Sequence, residues 1–191
     1  MGRPRQFSEE RAVDAAMRVF WSQGYEATST EALCTATGLG RSSIYNTFHS
    51  KHDLFARALE HYIQLTAESL TSVLDGEGTV RERLRRLLDV IVADAVDSGR
   101  DGCLGVNSMI ELGPRDDAVD AMLRKDKEWR IALLADAVRS GQRDGELAAG
   151  MDPVSVAHFV LSVIGGIRVA ARSGNDRAVL QGIADVAMAA L

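Results

Sequence analysis

The chain has 191 residues, is 46% apolar and 26% charged, carries only 3 prolines and has a formal net charge of −5. This bounds it to one domain, or one large domain with a small appendage, helical rather than sandwich or barrel, and the charge speaks against a nonspecific coat on nucleic acid. Its 2 cysteines, Cys34 and Cys103, lie far apart without metal-ligand spacing; no signal-like segment and no apolar run approaching ~20 residues stands out, so a reducing, cytoplasmic setting is expected.

Charge is unevenly placed. Residues 1–60 hold 7 basic and 7 acidic side chains, so the acidic excess lies downstream. After a loose basic arm, "MGRPRQF", Ser8 reads as the N-cap of a first helix with Glu9 and Glu10 in its first turn, and Gly24 as its stop. Ser29 or Thr30 caps a short second helix that Gly38 ends. A third short helix covers roughly residues 41–47, with Ile44 and Phe48 as its buried pair. Lys51 opens a long fourth helix, inner face Phe55, Leu59, Tyr62 and Leu65, running to about Leu74.

The remainder reads as further helices. "TVRERLRRLLDVIVADAV" puts Leu84, Leu87, Ile91 and Ala95 on one stripe, "CLGVNSMIEL" is short and glycine-bounded, and "DDAVDAMLRKDKEWRIALLADAVRSG" is long and amphipathic. "DPVSVAHFVLSVIGGIRVAARSG" has Asp152 as cap and Pro153 at its first position, and "DRAVLQGIADVAMAAL" closes the chain. Both are apolar over more of their circumference than one core-facing stripe requires, which points to a partner. Gly165 and Gly166 within the first leave two readings open: close helix approach, or a local irregularity facing the interior.

A short helix, a Gly-Leu-Gly turn and a second short helix have the spacing of a helix-turn-helix, whose second helix lies in the DNA major groove. Such a helix must be apolar on one face only. Ile44 and Phe48 supply that face, while Arg41, Ser42, Ser43, Tyr45, Asn46 and Thr47 supply a small, polar and cationic one. Arginine pairs with guanine O6/N7 or with phosphate, and hydroxyls suit phosphate oxygens. No Ser/His/Asp or Cys/His arrangement, phosphate-cradling glycine loop after a strand or carboxylate–histidine metal spacing is present in the sequence. No enzyme, cofactor or metal is expected. Two other classes, a purely protein-binding helical dimer and an architectural DNA coat, fit less well: the first leaves Arg41, Tyr45 and Lys51 unexplained, and the second conflicts with the net charge.

The stretch "GYEATST…TGLGRSSIYNTFHSKHDLF" resembles the N-terminal signature of the TetR family of transcriptional regulators, through Gly24, Tyr25, Thr28, Gly38, Tyr45, Phe48, Lys51 and Leu54 in order. The close resemblance covers about residues 7–59; Gly40 departs from it, where the family often has Ser or Thr as cap. The resemblance implies an all-α fold of about nine helices: a three-helix DNA-binding domain over residues 1–50, then a larger helical ligand-binding and dimerisation domain over residues 51–191. It implies phosphate clamps at Tyr45 and Lys51, phosphate contacts at Thr28, Ser29 and Thr30, and base readers at Arg41, Ser42 and Asn46. Arg3 and Arg5 suit an arm entering the minor groove, with a merely solvated arm as the other reading. His49 and His52 either add phosphate contacts or are solvated.

The resemblance further implies a homodimer through the last two helices, a palindromic operator, and repression released by a small, apolar or amphipathic effector. The walls of its pocket would include Leu87, Ile91, Met109, Leu112, Trp129, Leu133, Phe159 and Val163, oriented by Asn107, Ser108, Glu111, His158 and Ser162. Cys103, in a "Gly-Cys-Leu" stretch like that of electrophile- or oxidant-sensing relatives, leaves a thiol-sensing alternative beside an inert, structural cysteine.

Overall fold

The computed structural model describes residues 3–98 and 101–191, with backbone only for residues 3–8. Among the described residues it has nine helices and no strand: α1 (Arg3–Gln23), α2 (Thr30–Thr37), α3 (Arg41–Phe48), α4 (Lys51–Leu74), α5 (Val80–Asp97), α6 (Leu104–Glu111), α7 (Asp117–Arg143), α8 (Pro153–Arg172) and α9 (Arg177–Ala189). Packing draws two units. The first joins Met1–Leu65 with Leu104–Leu123, and the second joins Thr66–Cys103 with Arg124–Leu191. The start of α4, all of α6 and the start of α7 thus fall in the same unit as the helix-turn-helix, where the sequence suggests a boundary near residue 50.

In the first unit, Val13, Ala16, Met17 and Phe20 recur at helical spacing on α1 and are buried, as are Leu54, Phe55, Ala58, Leu59 and Tyr62 on α4. Aromatic rings lock the two helices: Phe20 meets Phe55 edge-on at 5.1 Å, and Trp21 meets Tyr62 at 5.0 Å. Leu65, expected on this inner face, is exposed instead, since it falls at the end of the unit. Helix α1 stops at Gly24, whose φ of +81° is a left-handed conformation that favours glycine. It starts at Arg3, so Ser8 lies within the helix rather than at its cap, and the backbone from Arg3 is helical where a loose arm was expected. The side chains of Arg3 and Arg5 lie outside the described residues.

The second unit is an apolar core of α5, α8 and α9 with the later part of α7. Leu84, Leu87, Leu88, Ile91 and Val92 of α5 pack with Val156, Ala157, Val160 and Ile167 of α8 and with Leu180 and Ala184 of α9. Polar caps fix where these helices start. Thr79 and Glu82 form a reciprocal capping box on α5, Asp152 accepts the Ser155 N–H at 2.8 Å ahead of Pro153, and Asp176 accepts the Val179 N–H at 3.0 Å. By length and composition alone α8 is apolar enough to cross a membrane, which corrects the expectation that no such run exists. Its inner stripe is part of the core of this unit, and its other faces carry Phe159 and Val169, both exposed.

Candidate nucleic-acid interface

The recognition element is built from α2, its turn and α3. Ser29 caps α2, its hydroxyl accepting the Ala32 N–H at 3.1 Å, and Gly38 ends the helix at φ +67°. Leu33 of α2 and Ile44 and Phe48 of α3 are buried, so α3 turns its opposite face outward. Arg41, Ser42, Ser43, Asn46 and His49 are exposed on that side, with Tyr45 and Thr47 half-buried. Apolar burial thus fixes the roll of α3, and the polar side chains follow.

Electrostatics tie this face together. The Tyr45 hydroxyl lies 3.3 Å from Thr30 Oγ1, and the Arg41 guanidinium lies 5.8 Å from the Tyr45 ring centre. The Thr30 hydrogen bond, and after it the Arg41 interaction, hold the Tyr45 phenol below its usual range, which makes it a stronger donor to an anionic oxygen. Lys51, at the first position of α4, donates to the Glu26 carbonyl at 3.4 Å and lies 4.6 Å from the Tyr25 ring centre. Behind it, the His52 ring nitrogen Nε2 donates to Asp116 at 2.5 Å. Bonds from the Val119 N–H and then from His52 hold the Asp116 carboxyl below its usual range.

One expected contact is not available in this geometry. Thr28 is buried and its hydroxyl donates to the Gly24 carbonyl at 2.5 Å, so it shapes the loop after α1 instead of reaching phosphate. Thr30, half-buried, shares its hydroxyl with Tyr45 at 3.3 Å. Ser29 is exposed and retains a hydroxyl proton for an outside acceptor. His49 closes α3 at φ +60° and ψ −43°, a region sparsely populated by residues other than glycine that costs on the order of 1–3 kcal/mol. Sequence reasoning missed Ser50, whose hydroxyl accepts the Asp53 N–H at 2.9 Å and so caps α4; the signal was a Ser directly before a helix.

Gly40 has φ −68° and open space where a Cβ would stand, so nothing in the geometry demands glycine. Gly40→Ser is expected to raise stability by about 0.5–1 kcal/mol, through an added cap and a less flexible unfolded chain. Thermal denaturation checks this, and an unchanged or lower midpoint would refute it.

The candidate effector residues divide between the units. Asn107, Met109 and Leu112 belong to the first, where Leu112 is buried and Met109 is 52% exposed. In the second, Leu87, Ile91, Leu133 and Val163 pack into the apolar core, while Trp129 and Phe159 are 41% and 40% exposed. Trp129 and Phe159 thus line the outside of their helices, since each stands off the core-facing stripe. Cys103 is a half-buried thiol just ahead of α6. Ser108 is buried with an unbonded hydroxyl, His158 and Ser162 are exposed, and Glu111 turns to the loop after α1. A surface cleft of about 640 Å³ lined by Glu77, Arg81, Glu82, Arg85, Arg86 and Met188 contains none of these candidates.

Comparison with known proteins agrees with this geometry. Residues 12–58 match a family described as "Bacterial regulatory proteins, tetR family", and residues 80–186 match "Tetracyclin repressor-like, C-terminal domain". The chain is 29% identical over 175 residues to the HTH-type transcriptional repressor ComR of Escherichia coli, a match covering 91% of this chain and 83% of ComR. It is 30% identical over 151 residues to the uncharacterized HTH-type transcriptional regulator YezE of Bacillus subtilis, covering 76% and 78% of the two chains. Among solved structures, cysteine-substituted CifR, a TetR family transcriptional regulator complexed with 26-bp operator DNA, superposes with a TM-score of 0.85 at 34% identity, covering 95% of each chain. The chain therefore belongs to the TetR family of bacterial DNA-binding transcriptional regulators.

Proposed function

We propose that the protein is a cytoplasmic repressor that binds a palindromic operator as a homodimer and is released by a small apolar or amphipathic effector. The observation that carries this reading is the division of α3: Ile44 and Phe48 are buried while Arg41, Ser42, Ser43 and Asn46 are exposed. Arg41, Ser42 and Asn46 read bases, and Tyr45, Lys51 and Ser29 grip phosphates. Dimerisation is supported by the outer faces of α8 and α9, where Phe159, Val169, Val179 and Val186 are exposed. Repression needs only occlusion of a promoter. An effector lowers DNA affinity by binding better to a state whose recognition helices no longer fit two half-sites.

Footprinting the purified protein on DNA upstream of its own gene tests the reading. Lys51→Ala is expected to weaken binding to all sequences alike and to lower the slope of log K against log salt by about one. Arg41→Ala is expected to cost about 1–3 kcal/mol and also to relax preference at one base position. An Arg41→Ala protein with wild-type affinity and preference would remove Arg41 from the interface.

A further inference from the structure

The loop between α1 and α2 is held by a residue 85 positions away in sequence. Glu111, the last residue of α6, accepts the Tyr25 N–H through Oε2 at 2.9 Å and the Glu26 N–H through Oε1 at 2.7 Å. Two adjacent peptide donors on the two oxygens of one carboxylate make a charge-assisted, bidentate clamp. The approach is close enough to shape the sequence beside it. A Cβ on Gly24 would stand 3.0 Å from Glu111 Oε2, and the φ of +81° there disfavours any side chain as well.

The clamped peptide leads directly to the DNA face. Glu26 is held by its N–H to Glu111 and by its carbonyl to Lys51 Nζ, while the Tyr25 ring lies under the same ammonium. Thr28 closes the loop from the other side through its bonds to Gly24 and Tyr25. The chain of contacts therefore runs from the Glu111 carboxylate through the Tyr25–Glu26 backbone to the Lys51 ammonium, all within the first unit.

We propose that Glu111 is a positioning residue for DNA binding, its carboxylate fixing the Tyr25–Glu26 loop and through it the phosphate-gripping Lys51. The proposal rests on the DNA-binding reading above and adds a residue from α6 to it. Its sign separates it from simple electrostatics. A carboxylate repels phosphate, so removing its charge would by Coulomb effects alone raise DNA affinity; removing a positioning clamp lowers it.

The experiment uses the full chain with Glu111→Ala, Glu111→Gln and Glu111→Asp. Binding to the footprinted duplex is measured by fluorescence anisotropy over a salt series, beside hydrogen exchange at the Tyr25 and Glu26 amides. Glutamine keeps the shape but sets an NH2 group against one of the two N–H donors, so it tests the clamp even where alanine impairs folding. Glu111→Ala and Glu111→Gln are expected to weaken binding roughly tenfold, to speed exchange at both amides and to lower the salt slope by about one phosphate contact. Glu111→Asp, shorter by one methylene, is expected to fall between these and wild type. Unchanged or raised affinity in Glu111→Gln overturns the proposal, as does a lowered melting temperature with affinity intact. A wild-type protein that gives no salt-dependent binding to any upstream duplex overturns the DNA-binding reading itself; wild-type binding with indistinguishable variants overturns the role of Glu111 alone.

Discussion

A Val169→Asp, Val186→Asp double variant is expected to be a folded monomer whose operator affinity falls by at least about a hundredfold, since a monomer reads one half-site where a dimer reads two. Within one chain the two valines are 53% and 73% exposed, so neither substitution opens a cavity in the core. On α8, Phe159, Ser162, Gly166 and Val169 follow one another at spacings of three and four and are all exposed. On α9, Val179, Gly182 and Val186 repeat the pattern. A Cβ at Gly165, Gly166 or Gly182 would meet nothing within 4 Å, so these positions leave room for a second helix pair to come close. Paired against a second copy, the two faces would form a four-helix contact, and carboxylates buried there without partners would cost several kcal/mol. Sedimentation velocity gives the oligomeric state, circular dichroism the fold, and anisotropy the affinity. A variant that remains dimeric, or a monomer that binds the operator as wild type does, defeats this assignment.

The elements were legible because their signals are local. Ser29, Gly38 and Asp152 mark helix ends through bonds or dihedrals within a few residues of themselves, and α4 runs over Lys51–Leu74 as its pattern requires. The polar face of α3 was legible for the same reason, since burial of Ile44 and Phe48 leaves only one orientation. Long-range partners were not. Nothing near position 111 points to position 25, and Glu111 reads equally well as a polar group facing a ligand. His52 gives no sign in sequence of its bond to Asp116, 64 residues on. Thr28 belongs to the same class: its place in the motif suggests a phosphate contact, but burial commits its hydroxyl to the backbone. Phe159 and Trp129, 40% and 41% exposed, show a related limit, because large apolar residues at helical spacing do not say which side of the helix meets the core.

Phe20→Ala is expected to destabilise the DNA-binding unit by about 3–5 kcal/mol, lowering the melting temperature by on the order of 10 °C. The ring is completely buried, edge-on to Phe55 at 5.1 Å and stacked on Tyr25 at 6.2 Å. Its loss leaves a cavity between α1 and α4 and removes the apolar support beneath the loop that carries Tyr25. Arg18→Ala is the contrasting case on the same helix. Its ion pair with Asp14, at 3.2 Å with the Arg18 side chain 74% exposed, is worth under about 1 kcal/mol, and the melting temperature is expected to move little. If Phe20 acts through stability, operator binding by Phe20→Ala is lost at temperatures near its lowered midpoint and returns on cooling, whereas a DNA-contact variant such as Arg41→Ala stays weak at every temperature. A Phe20→Ala protein that melts with wild type would mean that α1 and α4 are not held by this cluster, and the geometry inferred for α3 and Lys51 would lose its support.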